Sequence, residues 1–203
     1  MCPKPGLKFG YRPDHRSIME GKTIVAFADT LFRADFKLDD SKDGIIWVQK
    51  VEDPKAFGVV KIDENQIITD FVEKPQEFVS DLAIIGIYYF KDGAYLRENL
   101  QYLIDNDIKD KGEYQITDAL ERMKKAGTHF APGQVIEWLD CGNKNATVHT
   151  NQRVLEFIKD KEIVAASSKL QNSKIIEPCY IGENVTLIDS VVGPHVSVGD
   201  DSI

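Results

Sequence analysis

The carboxyl-terminal part of the chain repeats an apolar residue at six-residue spacing, with one slip in register. The repeated positions are Ile175, Ile181, Leu187, Val192 and Val198, and glycines follow three of them at Gly182, Gly193 and Gly199. This spacing is typical of a β-helix built from short parallel strands. We therefore predict that residues 166–203 begin a parallel β-helix. Because a solenoid usually needs about three repeats for stability, we expect either a truncated sequence there or another chain that caps it.

The preceding residues alternate strand patterns with amphipathic helix patterns. Strands are predicted at 23–27, 44–51, 82–90 and 135–139, with a weaker strand-like piece at 7–11; helices are predicted at 94–106, 114–126 and 145–161. The continuous apolar run at 23–27 is typical of a strand buried on both faces of a parallel sheet. Alternating strands and helices predict an α/β fold with a largely parallel, mixed sheet. This first domain is expected to cover residues 1–165.

A hairpin is predicted inside that sheet, at residues 58–72. Its strands, 58–62 and 66–72, are joined by the polar turn Asp63-Glu64-Asn65, in which Asn65 can adopt a left-handed backbone. Gly58 begins the first strand and permits a close approach to the backbone. Glu73 and Lys74 follow the second strand, where a carboxylate beside an ammonium group can hold a hydroxyl and an anion together. A sugar phosphate carries both of those groups.

Two aspartates and one further glycine stand where α/β folds place ligands. Asp29 follows the predicted strand 23–27, and Asp140 follows the predicted strand 135–139. Ligands of open α/β sheets bind beyond the carboxyl ends of strands, and carboxylate oxygens suit Mg²⁺. Gly86, after Ile85, removes a side chain from the middle of the strand 82–90, where a ligand could lie on the sheet. Taken singly, each aspartate is equally consistent with a turn or cap residue.

Four more motifs accompany the hairpin in a fixed order. They are FADTLF around Asp29, AIIGIYYF around Gly86, GEYQITDAL at 112–120 and WLDCG at 138–142. With the D-P…F-G-V-V…F-V-E-K-P pattern of the hairpin, their order and spacing resemble the sugar-1-phosphate nucleotidyltransferase family. The resemblance implies a Rossmann-like fold, and some members carry a left-handed β-helix like the one predicted at 166–203.

The resemblance also implies a reaction and roles for single residues. The reaction transfers a nucleotidyl group from a nucleoside triphosphate to a hexose 1-phosphate, with Mg²⁺ as cofactor. Asp29 and Asp140 match the metal-binding aspartates, Glu73 would bind sugar hydroxyls, and Lys74 would bind the sugar phosphate. Gly58 would offer backbone contact to the sugar, and Ile85 and Gly86 would flank its ring. Asp29, Asp140 and Lys74 are the expected catalytic residues.

The family's amino-terminal glycine-rich loop, approximately G-x-G-x-R followed by a lysine, has no counterpart here. The glycines before Asp29 are Gly6, Gly10 and Gly21, and they form no such cluster. Backbone amides of that loop would wrap the triphosphate. We therefore expect this chain to be the middle and end of an enzyme. Phe57 stands where many members have tyrosine, and Asn143 where many have threonine, so the sugar and the base stay open.

Composition excludes several classes of partner. The formal net charge of −8 argues against nucleic acid or an anionic membrane as the main partner, because both need a basic face. No apolar run approaches the about 20 residues that span a bilayer, and no signal peptide is recognised. Three cysteines without metal-ligand spacing, Cys2, Cys141 and Cys179, predict free thiols and a cytoplasmic location.

Two other hypotheses accompany the enzyme. The chain could be a non-catalytic sugar-phosphate-binding or regulatory relative, because the triphosphate loop is missing. The β-helix could also be an assembly module, which predicts a homo-oligomer.

Overall fold

The computed structural model describes residues 19–35, 38–110, 112–161 and 163–203. The chain divides into two compact units between Trp138 and Leu139. This division lies before residue 165, the predicted end of the first domain, because the third helix groups with the second unit. The strand-like piece predicted at 7–11 lies outside the described residues.

The first unit contains strands and two helices. The strands are β1 Thr23–Ala26, β2 Thr30–Arg33, β3 Gly44–Lys50, β4 Gly58–Ile62, β5 Ile68–Glu73, β6 Leu82–Phe90 and β7 Phe130–Gln134, and an eighth, β8 Glu137–Asp140, begins at its end; the helices are α1 Gly93–Asp105 and α2 Ile116–Lys125. The helices predicted at 94–106 and 114–126 are confirmed as α1 and α2, to within two residues at each end. Strands β2 and β7 were not predicted, because their residues include polar and Gly-Pro positions without a clear period.

Strand β6 is the centre of the main sheet. Its sequence is rich in β-branched and aromatic residues, which favour strands, and eight of its nine residues are buried. Strand β3 pairs along one edge of β6. Strands β4 and β1 therefore share the other edge, β4 at Ala83 and β1 from Ile87 onward. The main-chain edge between these two pairings lies at Ile85 and Gly86.

The prediction of a largely parallel sheet is wrong. Strand β6 runs antiparallel to β1, β3 and β4, and β4 runs antiparallel to β5; among the described strands of this sheet, only β3 and β7 pair in parallel. Strand β1 is not buried on both faces either, since Ile24 is 49% exposed. An apolar run predicts a strand, but it carries no information about the direction of its neighbours. The coarser prediction of a mixed α/β fold is confirmed.

Side chains on the two faces of the main sheet belong to two apolar clusters. The cluster beside the helices contains Ile84 and Tyr88 of β6 with buried apolar residues of α1 and α2, which are Leu96, Leu100, Leu103, Ile116, Ala119, Leu120 and Met123. The opposite cluster contains Ile85, Ile87 and Tyr89 with Ile45 and Trp47. Successive residues of a strand face opposite sides. Burial on both faces therefore explains why β6 is a continuous apolar run.

The predicted hairpin is confirmed in β4 and β5, which pair antiparallel with Gly58 opposite Glu73. Its turn is closed by Asp63, whose Oδ1 accepts hydrogen bonds from the backbone N–H groups of Asn65 and Ile67 at 2.9 and 2.8 Å. The left-handed residue is Gln66, with φ 60°, and not Asn65 as predicted. The second strand therefore begins at Ile68 instead of at residue 66.

The second unit contains helix α3, Lys144–Ile158, followed by a coil of short strands. The strands are β9 Lys169–Gln171, β10 Lys174–Ile175, β11 Tyr180–Ile181, β12 Thr186–Ile188, β13 Val191–Val192 and β14 Ser197–Val198. They form three parallel pairs, β9 with β12, β10 with β13 and β11 with β14. Each pair is offset by 17 residues, as in Lys174 opposite Val191 (191 − 174 = 17). The described strands thus form a parallel coil, while its left-handed sense stays a prediction.

The six-residue spacing identified the interior of this coil. Of the five predicted repeat residues, Ile181 and Leu187 are buried in one apolar cluster with Cys179 and Val185, and the other three are partly buried and pack against it. At the coil's corners, asparagine stands 17 residues before aspartate: Asn172 Nδ2 donates to Asp189 at 2.8 Å, and Asn184 Nδ2 donates to Asp201 at 3.1 Å. All four residues have positive φ. Asparagine and aspartate tolerate that conformation better than other non-glycine residues, which explains their recurrence there.

Helix α3 is fastened to the coil through His195. The ring Nε2 of His195 donates to Glu156 Oε1 at 2.7 Å, and the backbone oxygen of His195 accepts from Asn151 Nδ2 at 3.0 Å. Asn151 Oδ1 in turn accepts from Ser197 Oγ at 2.7 Å. The hydrogen bond from His195, followed by that from Lys159, lowers the pKa of Glu156 below its ordinary 4.5.

Replacing Glu156 by glutamine is expected to remove an acid-sensitive part of the stability. A carboxyl whose pKa is lowered by folding stabilises the fold above its unfolded pKa, and this contribution is lost as the pH falls through the lower, folded pKa. Urea unfolding followed by circular dichroism from pH 7 to pH 3 should therefore show a weaker acid dependence in Glu156→Gln than in wild type. Glu98→Gln, an exposed change on α1, is the control. Parallel pH curves for wild type and Glu156→Gln would contradict the prediction.

The described cysteines agree with the predicted free thiols. Cys141 and Cys179 are free, the latter buried in the coil, whereas Cys2 lies outside the described residues. Among the helices that the structure describes, none is both long and apolar enough to cross a bilayer.

Candidate functional site

Glu73 and Gly58 face each other at the end of the hairpin. Only 18% of the Glu73 side chain is exposed. A side chain on Gly58 would place its Cβ 2.9 Å from Glu73 Oε2, so glycine at this position leaves room for the carboxylate. Thr117, in the first turn of α2, donates from Oγ1 to Glu73 Oε2 at 3.4 Å. The carboxylate of Glu73 is thus held between a strand and a helix.

Lys74 follows directly in a bent backbone. Its φ is 42°, in the left-handed region that costs a non-glycine residue on the order of 1–3 kcal/mol. Its backbone N–H donates to the oxygen of Phe57 at 3.1 Å, and its Nζ lies 3.9 Å from Glu73 Oε1. About a third of the Lys74 side chain is exposed. The bend presents an ammonium group beside a carboxylate, as the sequence predicted for this pair.

A β-bulge lies in the middle of β6. Ile46 pairs with Tyr88 and Val48 with Ile84, so β3 has only Trp47 between these pairs, whereas β6 has Ile85, Gly86 and Ile87. Bulges are common beside active sites, where they redirect the chain. Here the bulge lies where the other edge of β6 passes from its pairing with β4, at Ala83, to its pairing with β1, at Ile87.

Gly86 and Ile85 are explained first by local packing. Gly86 has φ 81°, and a Cβ there would come 3.1 Å from the ring and Cβ of Phe27. Glycine at position 86 therefore leaves room for Phe27. The Ile85 side chain is 1% exposed and lies in the cluster opposite the helices. That Ile85 and Gly86 flank a sugar ring stays a prediction. Because the Ile85 side chain is buried, only its main chain could contact a sugar.

Asp29 lies in an exposed turn between β1 and β2. The turn is attached to the bulge at both of its ends. The backbone N–H of Phe27 donates to the oxygen of Gly86 at 2.9 Å, and Thr30 Oγ1 donates to the oxygen of Ile85 at 2.7 Å. The Asp29 carboxylate is thus presented to solvent on a turn whose backbone is fixed to β6.

Asp140 ends strand β8 at the start of the second unit. Its Oδ1 accepts a hydrogen bond from the backbone N–H of Gly142 at 2.9 Å, and its backbone oxygen accepts from Thr150 Oγ1 of α3 at 2.6 Å. Half-buried and held at both groups, the residue has a fixed position at the strand end. No group of three or more histidine, cysteine or acidic residues that could hold a metal occurs among the residues that the structure describes.

Phe57 and Trp138 pack against each other beside Gly58. Their ring centroids are 5.0 Å apart and nearly perpendicular, an edge-to-face arrangement. Trp138 Nε1 donates to Thr30 Oγ1 at 3.1 Å. Trp138 is partly buried and packs against the cluster opposite the helices.

Two groups near the candidate site, Tyr88 and Asp118, have raised pKa values. Burial, and then the charge of Glu73, raises the pKa of Tyr88 well above its usual range. Burial, and then the charge of Asp110, raises the pKa of Asp118, the residue after Thr117. Both shifts disfavour negative charge on these two side chains.

Sequence reasoning missed two hydroxyls, those of Thr117 and Thr30. Each lies inside a motif that was recognised, GEYQITDAL or FADTLF, but neither residue was assigned a role. Thr117 is only 5% exposed, and a polar residue on the buried side of an amphipathic helix was the available signal. No such signal exists for Thr30, since its partners lie 55 and 108 positions away.

A family model described as "Nucleotidyl transferase" matches residues 17–156. The chain belongs to this family. Its motifs at Asp29, Gly58, Glu73 and Asp140 all lie inside the matched region. Tyr88 and Thr117, two buried residues near Glu73, lie inside that region as well.

Among curated proteins, the chain is 30% identical over 194 residues to a glucose-1-phosphate thymidylyltransferase of Streptomyces antibioticus. The aligned region covers 88% of this chain and 52% of that protein. A protein of the same description from Streptomyces griseus is 24% identical over 232 residues, with 98% and 64% coverage. The chain thus spans about half to two thirds of the length of these relatives. A Bacillus anthracis protein described as a glucose-1-phosphate thymidylyltransferase, crystallised with sucrose, shares the fold with a TM-score of 0.55 at 24% identity, covering 68% of this chain and 56% of that one.

Proposed function

We propose that this chain binds a hexose 1-phosphate and takes part in nucleotidyl transfer from a nucleoside triphosphate. The observation that carries the proposal is the Glu73–Lys74 pair, held beside Gly58 and Thr117 in a chain of the nucleotidyl transferase family. A largely buried carboxylate flanked by an ammonium group suits a ligand that offers hydroxyl donors next to a phosphate. The products would be a nucleotide sugar and pyrophosphate.

Glu73 and Lys74 would bind different groups of the hexose 1-phosphate. Glu73 would accept hydrogen bonds from sugar hydroxyls, and such charge-assisted bonds are about twice as strong as neutral ones. Lys74 would pair with the sugar phosphate and lower the repulsion between it and the incoming triphosphate. A phosphate oxygen of the sugar would attack the α-phosphorus while the bond from that phosphorus to the bridging oxygen breaks and pyrophosphate leaves. Because the attacking oxygen carries no proton, orientation and charge neutralisation are the main tasks of the protein.

The family resemblance assigns Asp29 and Asp140 as ligands of Mg²⁺. Magnesium prefers oxygen ligands and commonly keeps several waters, binding through only one or two protein carboxylates. Asp29 is exposed on a fixed turn and Asp140 is held at a strand end, and we propose from the family resemblance that both residues take part in Mg²⁺ binding. When bound, the ion would neutralise phosphate charge.

Replacing Asp29 or Asp140 by asparagine is therefore expected to weaken Mg²⁺ binding by at least about tenfold, since changes in the shell around a metal's ligands already cost about 10–100-fold. The Mg²⁺ affinity is measured by calorimetric titration of Mg²⁺ into the full chain with glucose 1-phosphate present. Asp160→Asn, an exposed change after α3, is the matched control. Unchanged Mg²⁺ affinity in both variants would remove the two aspartates from the metal site.

The test of the proposed function combines binding with turnover. The purified chain is titrated with a panel of hexose 1-phosphates by calorimetry, and pyrophosphate release is then followed with Mg²⁺ and the common nucleoside triphosphates. Binding of at least one hexose 1-phosphate, at a Kd below about 1 mM, is expected. Failure to bind any of them would overturn the proposal. Binding without pyrophosphate release would favour the non-catalytic alternative, in which the chain only holds the sugar phosphate.

A further inference from the structure

One hydroxyl group, that of Thr30, joins two segments of the candidate site. Its Oγ1 donates a hydrogen bond to the backbone oxygen of Ile85 at 2.7 Å and accepts one from the indole Nε1 of Trp138 at 3.1 Å. A threonine hydroxyl has one hydrogen to donate and lone pairs to accept, so both bonds can form at once. The indole N–H can only donate, which fixes the direction of both bonds.

The first bond attaches the Asp29 turn to the bulge of β6. Two consecutive carbonyl groups of β6 are used, because Phe27 N–H bonds to the oxygen of Gly86 and Thr30 bonds to that of Ile85. The first contact involves only backbone, so almost any residue at position 27 could make it. The second depends on a side-chain hydroxyl directly after Asp29. Thr30 is therefore the position where sequence controls how the turn sits on the strand.

The second bond continues toward the hairpin. Trp138 packs edge-to-face on Phe57 at 5.0 Å, and the backbone oxygen of Phe57 accepts from Lys74 N–H at 3.1 Å. A continuous series of contacts thus runs from the turn through Thr30, Trp138 and Phe57 to the bent backbone at Lys74. Each member touches the next, and none of them except Lys74 has been given a role in binding the substrate.

We infer that Thr30 is a positioning residue, which holds the Asp29 turn and the Glu73–Lys74 strand end in a fixed relation. This inference rests on the proposed function, since it assigns to Thr30 the arrangement of groups that would bind hexose 1-phosphate. Valine has the shape of threonine but no hydroxyl, and it would leave the Ile85 oxygen and the Trp138 indole N–H without their partner. Serine keeps the hydroxyl and loses only a methyl group.

The experiment compares wild type with Thr30→Val and Thr30→Ser, using the full chain. The ¹H–¹⁵N signal of the Trp138 indole, assigned by its disappearance in Trp138→Phe, reports the hydrogen bond through its exchange with solvent. Calorimetry with glucose 1-phosphate, or with whichever hexose 1-phosphate wild type binds, reports the positioning. Thr69→Val, at an exposed threonine of β5, is the matched control.

In Thr30→Val we expect at least tenfold faster indole exchange together with about tenfold weaker hexose 1-phosphate binding, because an unpaired buried polar group is costly. Thr30→Ser and Thr69→Val should resemble wild type in both measurements. Binding that stays unchanged in Thr30→Val overturns the inference, as does equal loss in Thr30→Ser, which would mean that the methyl group and not the hydroxyl matters. Failure of wild type itself to bind any hexose 1-phosphate overturns the proposed function, and the inference with it.

Discussion

Replacing Glu73 by glutamine is expected to weaken hexose 1-phosphate binding by about 10–100-fold. A hydrogen bond to a charged group contributes about 1.5–3 kcal/mol, and each 1.4 kcal/mol corresponds to about tenfold in affinity. Glutamine keeps the shape and the Thr117 contact but loses the charge, and its NH₂ group cannot accept from a sugar hydroxyl. It also leaves Lys74 without the carboxylate 3.9 Å away. Calorimetric titration with glucose 1-phosphate measures the effect.

The control for Glu73→Gln is a variant in the neighbouring turn of the hairpin. Glu64→Gln makes the same chemical change at an exposed residue of the hairpin and should leave affinity as in wild type. If Glu73→Gln bound the sugar phosphate as tightly as Glu64→Gln, Glu73 would be a structural residue of the strand end. If both variants lost affinity equally, the effect would come from the net charge of the hairpin and not from a contact with the ligand.

Replacing Phe130 by alanine is expected to lower the free energy of unfolding by about 3–5 kcal/mol, as phenylalanine truncations in cores do. Phe130 begins β7, is 0% exposed, and packs its ring against Phe71 and Phe90, with centroids 5.6 and 6.2 Å away. Domains are typically stable by about 5–15 kcal/mol. The loss should therefore appear as a large fall in the midpoint of urea unfolding followed by circular dichroism.

Phe78→Ala provides the comparison, since Phe78 is 74% exposed and surface substitutions usually stay within about 0.5 kcal/mol. Similar midpoints for Phe130→Ala and Phe78→Ala would show that the cavity at Phe130 closes by rearrangement. Because β7 pairs only with β3 among the described strands, such rearrangement would displace β7 first, and amide exchange in 130–134 would reveal it.

The sequence by itself determined the features that depend on local pattern. Helices α1 and α2 follow the 3.6-residue period of their buried apolar residues, the hairpin follows its polar turn, and the interior of the coil follows a six-residue spacing. These patterns arise from neighbours close in the chain, where backbone geometry fixes which side chains share a face. The Glu73–Lys74 pair was found in the same way, because its two charges are adjacent.

Only the tertiary structure decided the features that depend on distant partners. The apolar run at 23–27 predicted a strand, yet it pairs antiparallel with β6, because apolar patterning is the same for either direction. A side chain at Gly86 would crowd Phe27, 59 positions earlier (86 − 27 = 59), a neighbour that no local pattern indicated. The two bonds of Thr30 span 55 and 108 positions. Such contacts exist only once the chain has folded, so no local pattern in the sequence could have encoded them.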